Sequence, residues 1–305
     1  MNATEELSRL QAAAERAQAG YHHEKAVALY SQALVLQEAE GLADPELEYA
    51  LRGGRAHSNN MLVNNEAALA DYQIMVNLAD NDLADQPRLI TALIKLSESK
   101  YRLGDMDKRL IDLDRALGLA RELGNRGLQV DALMELVADK LEASAFDQAW
   151  EQLEEAFRLS RELGDPMRQA HILRNEIYFY RIIGRSQPFD EKYEQILASY
   201  RTSGDRYWEG RGLLTIGANS SDYGLKRDYS HQALECFRQI GDRYWQIPSL
   251  NNLTFIYGLL GLYPRAIAFG EEAIKIARAT RLRPNLCYLT ANAAYAYLAQ
   301  SQFNT

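Results

Sequence analysis

The residues able to do acid–base, nucleophilic or metal chemistry are few in this chain and poorly placed for it. Among 305 residues there are five histidines and two cysteines. His22-His23-Glu24 is the tightest group of metal-ligating types, but adjacent residues on a helix point about 100° apart. They read as solvated residues at a helix start. Asp112 and Asp114 lie two apart on a helical pattern and do not face each other. Cys236 and Cys287 make no disulfide framework. Glycine-rich phosphate loops, the zinc-protease pair, the serine-hydrolase elbow and the calcium loop are all missing. No catalytic residue, cofactor or metal is therefore expected, and the chain reads as a non-enzyme.

What remains is the chemistry of binding. His171, Arg174, Tyr178 and Arg181 recur at three- and four-residue steps, which place them on one helix face. Arg211 begins a similar stripe, Asn251, Asn252 and Phe255 a third, Tyr288 and Tyr295 a fourth. Arginine offers a forked donor to carboxylates, asparagine both donates and accepts, and aromatic rings supply contact area at little entropic cost. Such a set suits a protein or peptide partner, in particular an acidic or C-terminal segment. The competing reading is that Arg174 and Arg211 pair with Glu176 and Glu209 and bind nothing. Trp208 and Trp245 sit three residues after an acid. They serve either as packing between neighbouring elements or as an aromatic rim.

The formal net charge is −8, which argues against a nucleic-acid footprint. No run of about 18 apolar residues occurs, so no membrane span is expected. The charged, helix-patterned N-terminus lacks an apolar signal region. These features predict a cytoplasmic protein.

The elements that must carry these stripes show themselves as repeats. Gly-Asp-Arg-Tyr-Trp occurs at 204–208 and again at 241–245, and ARELGNRGLQ at 120–129 is echoed by SRELGDPMRQ at 160–169. An independent register comes from small residues. Ala33, Ala116, Ala156, Ser199, Cys236 and Ala273 each follow an anchor (Ala26, Arg109, Ala149, Lys192, Tyr229, Ala266) by seven positions. Ala68 anchors one further unit, with Met75 in its small slot. Seven residues is about two helical turns, so anchor and small residue let a neighbouring helix come close. A turn glycine precedes most anchors: Gly20, Gly104, Gly184, Gly224 and Gly261. Val63 and Ser144 replace it in two units. Acids before a first-turn proline, Asp44-Pro45 and Asp165-Pro166, mark helix starts. No stretch alternates with a period of two.

The pattern predicts seven helix pairs and a terminal helix. First helices fall at 3–19, 45–60, 86–102, 126–142, 166–182, 206–221 and 243–259. Second helices fall at 23–39, 65–80, 106–122, 146–162, 189–202, 225–239 and 263–279, with the last helix at 284–299. The units are 3–40, 45–81, 86–123, 126–163, 166–203, 206–240 and 243–280, read as one repeat domain over 1–305.

Residues 249–278, SLNNLTFIYGLLGLYPRAIAFGEEAIKIAR, resemble a tetratricopeptide repeat, and HEKAVALYSQAL and NEAALADYQIM resemble its second helix. The longer period, with second helices ending in Arg-Glu-Leu-Gly, is similar to arrays in bacterial signalling regulators and adenylate cyclases. The resemblance implies an all-α, right-handed superhelical solenoid. First helices would line a concave groove that binds proteins or peptides without catalysis. It also admits two further roles: the regulatory part of a larger signalling enzyme, or a peptide-pheromone receptor. The carboxylate clamp of one subgroup is not expected, because the matching positions hold Arg174, Tyr178, Thr215, Pro248 and Asn252. The helix at 284–299 resembles a first helix with no second helix after it. Leu286, Leu289, Ala293, Tyr297 and Leu298 give it apolar residues on more than one side. This suggests a truncated array, a solvating cap, or self-association through that helix.

Overall fold

The computed structural model describes the backbone of residues 2–185, 190–280 and 283–303, and the side chains of these except 190, 283–288, 302 and 303. Among the described residues the fold is all helix, without a strand. The first helices are α1 (Ala3–Ala19), α3 (Pro45–Met61), α5 (Gln86–Leu103), α7 (Arg126–Glu142), α9 (Pro166–Ile182), α11 (Arg206–Asn219) and α13 (Arg243–Leu259). The second helices are α2 (His23–Ala39), α4 (Asn65–Asn77), α6 (Met106–Glu122), α8 (Phe146–Leu163), α10 (Asp190–Ser203), α12 (Tyr223–Gln239) and α14 (Tyr263–Ala279), and α15 (Arg283–Phe303) follows. Packing is sequential, each helix chiefly against its chain neighbours, as a repeat array requires. The chain divides into two compact units, Met1–Ser186 and Gln187–Thr305. The first unit holds two apolar clusters, one centred on Leu93, Leu133 and Leu153, the other on Leu7, Tyr30 and Leu51. The core of the second is built on Leu213, Ala233 and Phe237.

The two kinds of helix start differently. Every first helix from α3 to α13 begins at an Asp or Asn whose side chain accepts a backbone N–H of the first turn: Asp44, Asp85, Asn125, Asp165, Asp205 and Asp242. That satisfies one of the donors a helix start leaves orphaned. The cap follows a left-handed residue, glycine at 41, 124, 164, 204 and 241 and Ala84 in the third unit. Five second helices (α2, α4, α6, α8 and α14) start without a side-chain cap. They are set instead by a left-handed residue at Tyr21, Val63, Gly104, Ser144 or Gly261. Two of the predicted turn glycines need correction. In the first unit Tyr21, not Gly20, takes the positive φ, and Gly224 lies inside α12, whose start Asp222 caps instead.

Helix α4 ends earlier than predicted, because a π-helical turn, Leu78–Asp82, follows it. The anchors Ala26, Ala68, Arg109, Ala149 and Ala266 are all buried. In α10 the register differs: Ile196 and Tyr200 are buried while Lys192 and Ser199 are only half-buried.

Candidate functional site

Counting from its cap gives each first helix a common ruler. The residues 6, 10 and 13 positions after the cap are accessible or half-buried on nearly every first helix, whereas those 12 after it are buried.

In the first unit, α9 carries His171, Arg174 and Tyr178 half-buried on one face, with Arg181 exposed beside them. The Arg181 guanidinium lies 4.8 Å over the Tyr178 ring, a cation–π contact. Asn175 is instead buried and donates to the Met134 carbonyl of α7 at 3.2 Å, so it ties two first helices together. On α7 the stripe turns acidic, with Asp131 and Glu135 half-buried and Glu142 exposed. Arg168 on α9 reaches Asp131 at 2.7 Å. The sequence reading missed this acidic stripe. Its signal was the cap register, which aligns Asp131 with His171 and Glu135 with Asn175.

Behind that stripe, Arg109 on α6 is buried. Its guanidinium lies 4.6 Å over Tyr101, 2.7 Å from Glu135 and 2.8 Å from Asp139. Burial pushes the Asp139 carboxyl up to about 6, more than the Arg109 charge pulls it down. The first-unit stripe therefore rests on a buried ionic cluster. His23 also departs from expectation. It is buried, not solvated, with its ring 6.0 Å from that of His57. His22 is exposed. Asp112 pairs with Lys100, and Asp114 is exposed.

In the second unit, Arg211 on α11 is half-buried, its guanidinium over the Trp245 ring at 3.7 Å from the centroid. It also donates to the Tyr207 hydroxyl at 2.9 Å. Glu209, the acid expected to pair with it, binds Arg201 and Arg206 at 2.9 and 2.6 Å. Trp208 and Trp245 are packing residues: Trp208 stacks on Tyr200 and Trp245 on Phe237, each an aromatic of the preceding second helix. Both begin the helix after a Gly-Asp turn, which explains the duplicated pentapeptide. Trp245 does double duty as the platform for Arg211. On α13, Asn251 and Asn252 are half-buried and Phe255 is 49% exposed. Asn292 of α15 donates to Asn251 at 2.9 Å, and Tyr295 is 55% exposed. Tyr288 lies outside the described side chains. The second unit thus brings a stacked arginine, an amide pair and open aromatic rings onto its first helices.

Among the described residues no three His, Cys, Asp or Glu side chains are grouped to hold a metal. No helix there is long and apolar enough to cross a membrane.

No protein-family model and no curated protein sequence matches the chain. Solved structures do. The Rap conjugation gene regulator of plasmid pLS20, solved with the Phr* peptide, superposes with a TM-score of 0.61 at 11% identity, covering 96% of this chain and 73% of that one. The tetratricopeptide arrangement is the common factor. This chain has the tetratricopeptide-type solenoid fold. A Rap protein complexed with competence and sporulation factor gives 0.57 at 12% identity, over 98% and 99% of the two chains. A signal-transduction ATPase from Pyrococcus horikoshii with a tetratricopeptide repeat sensor gives 0.54 at 14% identity, over 89% of this chain and 43% of that one.

Proposed function

We propose that this chain is a non-catalytic, cytoplasmic scaffold that binds a protein or peptide segment on the accessible stripe of its first helices. The observation that carries this reading is the second-unit surface. There Arg211 is held on Trp245, Asn251 and Asn292 present a joined amide pair, and Phe255 and Tyr295 lie open. Exposed rings beside amides and a pre-positioned guanidinium are the composition of a binding hot spot. Arg211 favours a ligand with a carboxylate, from an acidic side chain or a C-terminus. On α9, His171, Arg174, Tyr178 and Arg181 are a second patch of the same chemistry. Asn252 lies one position from the amide pair and extends it.

Two finer readings follow from the fold's company. One Rap structure was solved with the Phr* peptide and another with competence and sporulation factor, which supports a receptor for a small signalling peptide. The similarity to the repeat sensor of a larger ATPase supports a regulatory arm of a signalling protein.

The test is selection from a displayed peptide library on the purified chain, followed by affinity measurement on variants. We expect Phe255→Ala with Tyr295→Ala to weaken selected peptides at least tenfold, since hot-spot residues cost more than about 1.4 kcal/mol each. Arg211→Ala should selectively weaken peptides ending in or containing a carboxylate. Peptides that bind both variants as well as the parent would sink the reading.

A further inference from the structure

Three residues after its anchor, a second helix can turn a side chain onto the first helix of its own unit. In α4 that residue is Asp71, held by Arg52 and Arg55 of α3, and in α6 it is Asp112, held by Lys100 of α5. In α14 it is Phe269, whose ring stacks on Tyr257 of α13 with centroids 5.5 Å apart. The carboxylate is absent there, but cations are not. His231 of α12 stands edge-on to both rings, and its Nε2 lies 2.9 Å from the Tyr257 hydroxyl. Arg265 of α14 is exposed, and its contact among the described residues is with the Tyr257 ring at 5.7 Å, not with a carboxylate. Arg227, one turn before His231, pairs with its neighbour Asp228 at 2.8 Å. Burial and then the Arg227 charge hold the His231 imidazole below its usual range. Arg238 and Arg265 push the same way and Asp228 the other.

The starts of α12 and α14 carry the same excess. The first turns of α2, α4, α6 and α8 contain Glu24, Glu66, Asp107 and Asp147, as the positive end of a helix favours. Those of α12 and α14 contain no acid. Lys226, Arg227 and Arg265 stand near them instead, with Asp222 as the cap of α12. The two helices run side by side, since Arg238 of α12 reaches Glu272 of α14 at 2.6 Å. Where they begin, Tyr223, Leu225 and Leu262 are 47, 49 and 44% exposed.

We infer that the seam between α12 and α14 binds an acidic amphipathic segment of another protein. Its carboxylates meet Arg265 and Arg227 beside His231, and its apolar residues meet Tyr223, Leu225 and Leu262. Charge complementarity names this occupant. The seam gathers cations in a protein of net charge −8, and guanidinium groups take carboxylates in forked, charge-assisted hydrogen bonds. Arg265, which has no carboxylate of its own among the described residues, is the primary contact. A bilayer of anionic lipid offers related chemistry, but the exposed Asp222 and Asp228 would face its headgroups. A segment laid along the seam avoids them. This inference is independent of the groove reading, because its binding side chains belong to second helices.

Sorting a displayed peptide library on the full chain, then measuring the selected peptides on Arg265→Glu and Arg227→Glu variants, tests the inference. One class of selected peptides should be rich in Asp and Glu beside Leu or aromatic residues. Its members should bind the Arg265→Glu chain about tenfold or more weakly, with circular dichroism unchanged, since a charge-assisted hydrogen bond carries about one to two powers of ten. Arg265→Gln should lose less. Peptides that depend on Phe255 and Tyr295 should bind all three variants as they bind the parent. In the complex the His231 ring, followed by NMR, should titrate at higher pH than in the free chain, because a nearby carboxylate favours its charged form. Acidic peptides that bind both charge-reversed chains as tightly as the parent overturn the inference. So does a His231 titration that a bound acidic peptide leaves unmoved. If no acidic peptide is selected while inorganic phosphate or phosphatidylserine vesicles shift His231, the seam takes a small anion or a membrane and the inference is likewise overturned.

Discussion

Two stretches of the array solve the same packing problem with opposite chemistry. Between α3 and α7, in the first unit, helices are joined by buried polar groups. Asp71 accepts from both Arg52 and Arg55, Arg102 donates to the Asn60 carbonyl, and Arg109 is enclosed by Tyr101, Glu135 and Asp139. Between α10 and α14, in the second unit, the joints are aromatic: Tyr200 on Trp208, Phe237 on Trp245 and Tyr257 on Phe269. Both stretches use the same caps and turns. The difference teaches that the repeat constrains where a helix begins and which face it buries, while leaving the content of the joint open. A buried ion pair is intolerant of losing one partner and responds to pH, whereas a ring stack is governed by shape.

The largest effect should come from removing one partner of the polar joint. Arg109→Ala leaves Asp139 buried without its cation and opens a cavity. It should cost about 3–5 kcal/mol in urea unfolding. A loss below about 1 kcal/mol would show that water or Lys140 replaces the guanidinium and that the joint is less closed than its burial implies.

The same joint should make stability depend on pH. Asp139 has a carboxyl pushed up to about 6 from an ordinary 3.8, so the folded chain holds its proton where the unfolded chain has lost it. Stability contributed by this group is then greatest below pH 4, falls as pH rises to about 6, and is level above that. The change is at most about 3 kcal/mol. Asp139→Asn should flatten that segment of the stability–pH curve. A curve of unchanged slope would assign the dependence to other groups.

Both stretches also spend a glycine to admit a ring, and here they should respond alike. A Cβ on Gly54 would lie 2.2 Å from the buried Tyr30 ring, and one on Gly210 would lie 2.7 Å from Phe237. Each glycine-to-alanine change should destabilise by about 1–3 kcal/mol through overpacking. Combining Gly54→Ala with Tyr30→Leu should recover part of the loss, as the shorter side chain vacates the space. If the double variant is no better than Gly54→Ala alone, the clash is not the cause.

The smallest expected difference is at the caps. Asp85→Ala and Asp242→Ala each remove one side-chain acceptor from a first-turn N–H and should each cost about 1 kcal/mol. Similar losses in the two stretches would confine their difference to the joints. A much larger loss at Asp242, which is fully buried, would mean that this cap also belongs to the aromatic packing.

Several of these features were legible in the amino-acid sequence because they are local. Six of the seven first helices and six of the seven second helices end within one residue of where capping acids, turn glycines and apolar periodicity place them; α1, α2, α6, α7, α9, α13 and α14 match at both ends. A cap needs only its own side chain and the next turn, and a left-handed turn needs only a residue that tolerates it. The stripe on α9 and the open rings at Phe255 and Tyr295 follow from helical spacing in the same way. What surrounds a side chain was not legible. Arg109 reads as a degenerate anchor until α5 and α7 are seen to close on it. Arg211 reads as a partner for Glu209 until Trp245, from a later helix, is seen beneath it. His23 reads as solvated until His57 is placed against it. Local hydrogen bonding and the 3.6-residue period determine where helices start, stop and turn their apolar side. Which charge is desolvated and which ring supports which cation depend on residues some thirty positions or more away, and only the packed structure brings those together.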